Sequence, residues 1–306
     1  MRIRDALLNG LIDYAGLFPP AGEDMRMAVD NYAEYLRGPD HAALGRFIVP
    51  LARIAEFDDA AGDRFPRERN AKPWRISVLV ADDVRRAADQ IADFNARHAE
   101  KSRRGLATID VAELKASTLE EIGNQQRDLP RTLTSYFEIP LTGDVPSLVK
   151  AIAEVSSRAK IRTGGLTPDV FPRAESIIDF MLACRAESVP FKATAGLHHP
   201  IRGEYSLTYE PGSPKGMMYG FVNVFLAAAL VAAGATENVA LAALEETNPA
   251  AFEFHDDYLQ WRDNKITSEQ LASTRAGAAL SFGSCSFREP IDELAPLFRH
   301  SQPART

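Results

Sequence analysis

Cysteine is scarce in this chain, with Cys184 and Cys285 the only two among 306 residues. Two thiols so far apart cannot form a CxxC metal site, and their scarcity excludes a small domain held together by disulfides. The N-terminal sequence MRIRDALLNG also places charges where a secretory signal would have an apolar run. We therefore expect a protein of a reducing, cytoplasmic compartment.

An excess of positive charge is lacking too, because 35 Lys and Arg residues face 42 Asp and Glu residues, for a net charge of −7. Nucleic acid and anionic membrane surfaces attract proteins through clustered Lys and Arg, so neither is an expected partner. The composition, 45% hydrophobic and 25% charged, excludes a disordered or collagen-like chain. These balances favour a globular protein that acts on a small molecule.

One long run without charge needs separate consideration. Residues Gly216–Thr236 contain no charged side chain and approach the length of a bilayer span. The run is rich in Ala and Gly and includes Asn223, so it predicts a buried helix in a protein without a membrane partner. A helix that is apolar on all sides must be covered on both faces. We therefore expect part of this helix to lie in a subunit interface of a homo-oligomer.

Short β-branched or aromatic runs alternate with amphipathic stretches along the chain, which predicts parallel strands joined by right-handed helical crossovers. The predicted helices include Asp24–Leu36, Asp82–His98, Ser147–Ser156, Ala174–Ala186 and Ser268–Arg275. The eight predicted strands are Gly10–Tyr14, Arg46–Val49, Arg75–Val80, Ala107–Lys115, Thr134–Leu141, Ala159–Thr163, Phe191–Ala195 and Ala278–Cys285.

Eight such units in 306 residues predict a single α/β domain, a (β/α)8 TIM barrel spanning residues 1–306. An open, doubly wound parallel sheet is the alternative. The sequence contains neither GxGxxG after a strand nor GxxxxGK[ST], which disfavours a nucleotide-binding open sheet. Two stretches interrupt the repeat: Ile201–Pro214 predicts a loop insertion over the site face, and Phe252–Lys265 predicts a small hairpin outside the barrel.

Charged residues follow one face of the predicted strands. Side chains alternate between faces along a strand, so Glu113 shares a face with Lys115, Lys160 with Arg162, and Lys192 with Thr194. Glu138 lies at the end of the fifth strand. Because charge packed against the helix layer would carry a large desolvation penalty, we expect these side chains inside the barrel. They form either a functional site at the carboxyl ends of the strands or an ion-pair layer that fills the barrel.

Other candidates lie beside the same strand ends. Thr163 and Gly164, with Gly283 and Ser284, could bring backbone N–H groups close to an anion, or the glycines could serve only tight turns. Asp13 is a candidate site carboxylate. His198 and His199 could act as an acid or base, contact the substrate, or join Glu113 and Glu138 around zinc or manganese. A hydrogen-bonded loop role is the remaining alternative for the histidines.

Two of these segments resemble deoxyribose-phosphate aldolase, a class I aldolase barrel. The segment KIRTGG, from Lys160, is similar to the family's motif on strand six, and FKATAGLHHPIR, which carries Lys192, to the motif on strand seven. The resemblance implies a barrel lyase with a Schiff-base lysine at Lys160 and a second lysine at Lys192. The sequence departs from the family at Arg162 and in the two histidines. Glu113 or Asp110 would have to replace the aspartate of strand four.

The segments IDYAGLFPPA, FKATAGLHH and SFGSCSFREP also resemble a family of uncharacterised bacterial proteins, which implies no activity.

Physical chemistry supplies a first hypothesis. Two inward lysines on strands ~4.8 Å apart repel each other, which lowers the pKa of one and leaves a neutral amine that can attack a carbonyl. Glu138 or Glu113 could shuttle protons, and Arg162 could bind a carboxylate or phosphate. This predicts an aldolase-like lyase that acts on a small anionic carbonyl compound or sugar phosphate without a cofactor. A lysine locked in a carboxylate pair would instead stay charged.

Two alternatives remain open. The first is a metal-dependent lyase, isomerase or hydrolase that uses His198 and His199 with the strand-end glutamates. The second is a non-catalytic barrel in which the same charges hold an anionic ligand.

Overall fold

A computed structural model describes residues 1–68, 70–81, 83–99 and 104–300 of the chain. Its strands, in chain order, are β1 (Ile12–Tyr14), β2 (Leu44–Pro50), β3 (Trp74–Leu79), β4 (Ala107–Lys115), β5 (Thr134–Glu138), β6 (Arg158–Arg162), β7 (Phe191–Thr194), β8 (Gly203–Ser206), β9 (Lys215–Met218), β10 (Phe252–Phe254), β11 (Tyr258–Trp261), β12 (Asn264–Thr267) and β13 (Ala279–Ser284).

The helices alternate with the barrel strands and cover them. They are α1 (Ile3–Leu8), α2 (Met25–Tyr35), α3 (Ile54–Ala61), α4 (Val84–Arg97), α5 (Leu119–Asp128), α6 (Val145–Glu154), α7 (Ala174–Ala186), α8 (Phe221–Ala232), α9 (Glu237–Glu245), α10 (Ser268–Gly277) and α11 (Arg288–His300). Asp82, where one predicted helix begins, lies outside the described residues.

Eight strands form a closed parallel barrel in the order β1-β13-β7-β6-β5-β4-β3-β2. This closure confirms the predicted TIM barrel and excludes the open sheet. Each of the eight strands predicted from the sequence overlaps one strand of the barrel. Side-chain caps fix where helices begin: Asp144 accepts a hydrogen bond from the Ser147 amide, and Pro146 occupies the first turn of α6.

Two small antiparallel sheets lie outside the barrel strands. The segment Ile201–Pro214, predicted as a loop, contains β8, which pairs with β9 just after the segment, from Gly203 opposite Met218 to Ser206 opposite Lys215. The first residues of the uncharged run are therefore in a strand rather than in the predicted helix, because they complete this hairpin. The single hairpin predicted over Phe252–Lys265 is extended by one strand into a three-stranded sheet, β10-β11-β12.

The uncharged run continues into α8, whose residues 221–231 are all buried within this single chain. Its neighbours include α7, α9 and α10. Because the chain itself covers the helix, the apolar run no longer supplies a reason to expect a subunit interface, and the homo-oligomer stays an untested prediction. Within the described residues, no helix combines the length and the apolar character needed to cross a bilayer.

One polar side chain inside this helix joins three segments. Asn223 is fully buried; its amide nitrogen donates to the carbonyl oxygens of Ala243 and Glu246, both at 2.8 Å, and its oxygen accepts from the Arg202 amide at 2.9 Å. Buried backbone groups that lose such partners destabilise the fold. Asn223 thus ties α8 to the end of α9 and to the segment before β8.

We expect Asn223→Ala to lower the free energy of unfolding by about 2–4 kcal/mol, because it leaves several buried backbone groups without a partner. Urea denaturation followed by circular dichroism measures the change. Asn124→Ala, at an exposed position of α5, is the control and should change stability by less than about 0.5 kcal/mol. Equal stability of the two variants would contradict the structural role given to Asn223.

Candidate active site

A cavity of about 570 Å³ opens at the carboxyl ends of the barrel strands. In a TIM barrel this end carries the active site, and the volume suits a small ligand. The predicted site residues that line the cavity are Glu113, Lys115, Glu138, Lys160, Arg162, Gly164, Thr194, His198 and Gly283. Most of the side chains that sequence alternation directed into the barrel thus meet at one opening.

Strand register brings the charges together. Lys160 on β6 lies opposite Lys192 on β7 and, on its other side, opposite Glu138 on β5. Lys115 at the end of β4 lies opposite Glu138. Because parallel neighbours in register present their side chains on the same face, the four adjacent strands β4 to β7 direct charges of both signs into the barrel interior.

Glu113 on β4 is the centre of this cluster. One carboxylate oxygen lies 2.8 Å from the Lys160 ammonium, and the other lies 2.7 Å from that of Lys192. The side chain is buried, which alone would favour its neutral form, but the two lysines outweigh the burial and hold the Glu113 pKa well below its ordinary value. Ser77 on β3 also donates to this carboxylate at 2.6 Å.

Lys192 occupies the deeper part of the cluster. Its ammonium lies 2.6 Å from Asp13 on β1, and Ser281 on β13 donates to the same Asp13 oxygen at 2.9 Å. Burial opposes the ammonium, but Asp13 and Glu113 outweigh it and raise the Lys192 pKa above its ordinary value. Lys192 and Asp13 do not line the cavity. They act on the site only through Glu113, which Lys192 contacts.

Of the two lysines that contact Glu113, Lys160 is the one that lines the cavity. Its ammonium lies 2.8 Å from Glu138 as well as 2.8 Å from Glu113. Arg162, half exposed at the rim, lies 3.2 Å from the other oxygen of Glu138. Burial would raise the pKa of Glu138, but Lys160 and Arg162 prevail and lower it.

The arrangement differs from the one that the lysine argument required. Lys160 and Lys192 are neighbours in register, yet each contacts two carboxylates and they share Glu113 between them. These carboxylates offset the repulsion between the two lysines, and Asp13 and Glu113 raise the pKa of Lys192. Any role for a neutral amine therefore requires a proton acceptor close by.

The remaining candidates divide between the cavity and its walls. Thr163 is buried and donates to the Ala195 carbonyl at 2.6 Å, which fixes the turn after β7. Ser284 is buried in β13 beside β1. A Cβ at Gly164 would lie 2.4 Å from the ring of Phe171, so close packing alone requires a glycine there. Packing against Phe171 is therefore a third reason for a glycine at position 164, in addition to the predicted anion contact and the predicted tight turn.

The tandem histidines diverge. His198 lines the cavity, and its Nδ1 contacts Glu289 at 3.2 Å and the Cys285 thiol at 3.8 Å. Burial opposes its charge, but the contacts with Cys285 and Glu289 outweigh that penalty and raise the pKa of His198 to about 9. His199 turns away to Glu293, 2.8 Å from its Nδ1.

The alternative metal site is not assembled as the sequence suggested. Within the described residues, the His, Cys, Asp and Glu side chains gathered closely enough to hold an ion are His199, Glu289 and Glu293. Glu113 is instead paired with Lys160 and Lys192, and Glu138 with Lys160 and Arg162. The two glutamates of α11 could be found from sequence only as an i, i+4 pair, a spacing common on exposed helix faces.

Sequence analysis also missed the serines that support the carboxylates. Ser77 and Ser281 are fully or almost fully buried and donate to Glu113 and Asp13. Each lies between apolar residues of a largely apolar strand, which was the available signal. A hydroxyl inside a strand indicates a buried polar partner.

We expect Glu113→Gln to lower the free energy of unfolding by about 3–5 kcal/mol at pH 7, because the neutral amide leaves two buried ammonium groups undercompensated. Because the pKa of Glu113 is lower in the folded protein than its ordinary value of 4.5, the ionised carboxylate stabilises the fold at pH values above 4.5. This stabilisation is lost progressively as the pH falls below 4.5. The variant should therefore lose less stability than wild type between pH 6 and pH 3.

Urea unfolding at several pH values checks this. Glu154→Gln, at an exposed position of α6, is the control. Parallel pH curves for wild type and Glu113→Gln, or a loss below about 1 kcal/mol at pH 7, would contradict the central role of Glu113.

Known proteins offer a loosely similar structure and no matching family. No family model matches the chain, and no curated protein matches it. Among solved structures, a nitroalkane oxidase from Streptomyces ansochromogenes is similar over 97% of this chain and 99% of its own, with 12% identity and a TM-score of 0.34. Because a superposition this loose carries no argument, the fold assignment depends on the closed strand order alone. That barrel is compatible with an enzyme.

Proposed function

We propose that the protein is an aldolase-like lyase that acts on a small anionic carbonyl compound, with Lys160 as the reactive amine. The observation that carries the proposal is the position of Lys160, which lines the cavity between Glu113 and Glu138 while Lys192 lies beneath it. A buried ammonium with two carboxylates is a poor way to gain stability. A reactive role explains why the barrel interior retains it.

Charge at the rim favours an anionic substrate. Arg162 and Lys115 both line the cavity. Arg162 also has a forked guanidinium that can bind a carboxylate or phosphate through two parallel hydrogen bonds. An ammonium has three donors, and two of those on Lys160 are directed to carboxylates. The third is available to the substrate carbonyl oxygen, which would place the carbonyl carbon beside the nitrogen.

The covalent step begins from the ammonium. Glu138 accepts a proton from Lys160, the neutral amine attacks the carbonyl carbon, and Glu138 returns that proton to the carbonyl oxygen, which gives a carbinolamine protonated on nitrogen. Glu138 then moves a second proton from the nitrogen to the same oxygen, which leaves as water. The product is an iminium ion, so the same two carboxylates that stabilised the ammonium stabilise the new cation. Glu138 next accepts the proton of the hydroxyl on the β carbon, and the bond between the α and β carbons breaks. The β carbon leaves as an aldehyde, the electron pair of the broken bond forms a C=C bond, and the C=N pair moves to nitrogen, which gives an enamine.

Lys192 has a positioning role in this proposal. It holds Glu113 at 2.7 Å and Asp13 at 2.6 Å, with no opening to the cavity. It thereby fixes the carboxylate against which Lys160 lies. His198, on the cavity wall, would contact the anionic substrate as a positively charged group in addition to Arg162 and Lys115.

Borohydride trapping tests the imine. We expect wild-type protein, incubated with pyruvate, glyoxylate or glycolaldehyde phosphate and then reduced, to gain at Lys160 the mass of one carbonyl compound less one oxygen atom, because imine formation releases water and borohydride adds two hydrogens. Lys160→Ala should gain none, whereas Lys150→Ala, at an exposed position of α6, should behave as wild type. Peptide mass spectrometry locates the adduct.

The outcomes separate the hypotheses. An adduct at Lys192 would reverse the two lysine roles. Turnover without an adduct that is lost in Lys160→Ala would replace the imine by noncovalent polarisation of the carbonyl. Ligand-induced thermal stabilisation with neither adduct nor turnover would favour the non-catalytic binding barrel.

Arg162 provides a separate test of substrate charge. We expect Arg162→Gln to weaken binding of whichever anionic compound stabilises the wild type by about 10- to 100-fold, since a charged hydrogen bond contributes about 1.5–3 kcal/mol. Thermal-shift titration measures it. Arg173→Gln, whose side chain is 80% exposed, is the matched control, and equal affinities in the two variants would remove Arg162 from the binding site.

A further inference from the structure

We propose that His199, Glu289 and Glu293 form a binding site for a divalent transition-metal ion, zinc or manganese, next to the cavity. One imidazole nitrogen and two carboxylate oxygens, one from each residue, all lie within 4.8 Å of one another. Closing around an ion at metal–ligand distances of ~2.0–2.2 Å would need only small side-chain shifts. The site is distinct from the lysine cluster.

Barrel topology creates this meeting point. The segment after β7 carries His199, and α11, which follows β13, carries both glutamates. Because β7 and β13 are neighbours in the barrel, both segments leave it at the same end. Glu289 and Glu293 are four residues apart in the helix and so share one face. The three ligands thus come from two segments that the fold itself brings together.

Neighbouring groups hold the ligands in place. Glu289 accepts a hydrogen bond from the Tyr209 hydroxyl at 2.9 Å and contacts Nδ1 of His198 at 3.2 Å. His199 stacks on the Tyr205 ring, with ring centres 3.5 Å apart. Partners that orient the ligands are typical of protein metal sites and contribute to their affinity. Here Tyr205 and Tyr209 belong to the β8–β9 hairpin, and His198 belongs to the cavity wall.

The donor set selects the class of ion. One imidazole and two carboxylates suit zinc or manganese, whereas calcium prefers oxygen ligands alone and copper(I) prefers sulfur. Two carboxylates with a neutral imidazole carry a charge of −2, which a divalent cation compensates. Three protein ligands also leave a coordination position for water or a ligand. His198 lines the cavity and contacts Glu289 at 3.2 Å, so the proposed metal site adjoins the cavity wall.

Metal binding to the full-length protein, stripped with chelator, tests the proposal. We expect calorimetric titration with ZnCl₂ or MnCl₂ to show one saturable site, and CaCl₂ to show none. His199→Ala and Glu293→Gln should each weaken binding by about 100-fold, since each loses a direct ligand. Asp292→Asn, on the same helix with a side chain 59% exposed, is the matched control and should bind as wild type.

Folding and lysine chemistry are controlled separately. The Glu293 side chain is 42% exposed, so Glu293→Gln should keep the wild-type unfolding midpoint without metal, and added ZnCl₂ or MnCl₂ should raise that midpoint only in wild type and Asp292→Asn. Lys160→Ala should bind the ion normally, which keeps this test independent of the proposed lyase activity. Absence of saturable binding in wild type, or unchanged affinity in both His199→Ala and Glu293→Gln, would overturn the proposal.

Discussion

The barrel interior depends on one carboxylate between two ammonium groups. Register places Lys160 and Lys192 side by side on neighbouring strands, where unshielded like charges would repel strongly. Glu113 lies between them and accepts from both, one oxygen to each. Without a carboxylate at this position, each lysine would keep a single carboxylate partner, Glu138 or Asp13, and nothing would offset the repulsion between the two. The positions of the other groups follow from this contact.

Charged side chains of alternating sign extend on both sides of Glu113, from the barrel interior to the rim of the cavity. Asp13, Lys192, Glu113, Lys160, Glu138 and Arg162 form one chain of ion pairs, each member next to a partner of opposite charge. Exposure rises along it, with 1% of the side chain accessible at Lys192, 4% at Lys160, 11% at Glu138 and 48% at Arg162. The buried residues, such as Lys192, can only hold their neighbours in position, while the more exposed ones, such as Arg162, can contact a ligand. The increase in exposure thus divides the ion-pair network into a supporting part and a ligand-binding part.

Much of this could be predicted because strands obey a period of two. Alternation alone directed Glu113, Lys160 and Lys192 into the barrel, and the strand count predicted closure. Pairing could not be predicted, since it depends on register between strands far apart in sequence. The same limit applies to β9: Gly216–Met218 resembles the start of an apolar helix locally, yet it completes a hairpin with residues that precede it. The coverage of α8 by its own chain is equally nonlocal.

The histidine region shows the same limit at the level of a site. His198 and His199 were visible in the sequence, but their partners were assigned to the strand-end glutamates, which the lysines occupy. The actual partners lie about ninety residues later on α11, a distance set by the intervening hairpin, helices and small sheet. Only the adjacency of β7 and β13 makes them neighbours. Closing the barrel therefore does more than bury a core. It gives one cavity two chemically different walls: a lysine–carboxylate wall from β4 to β6, and a histidine wall, backed by the glutamates of α11, at the junction of the seventh and last barrel strands.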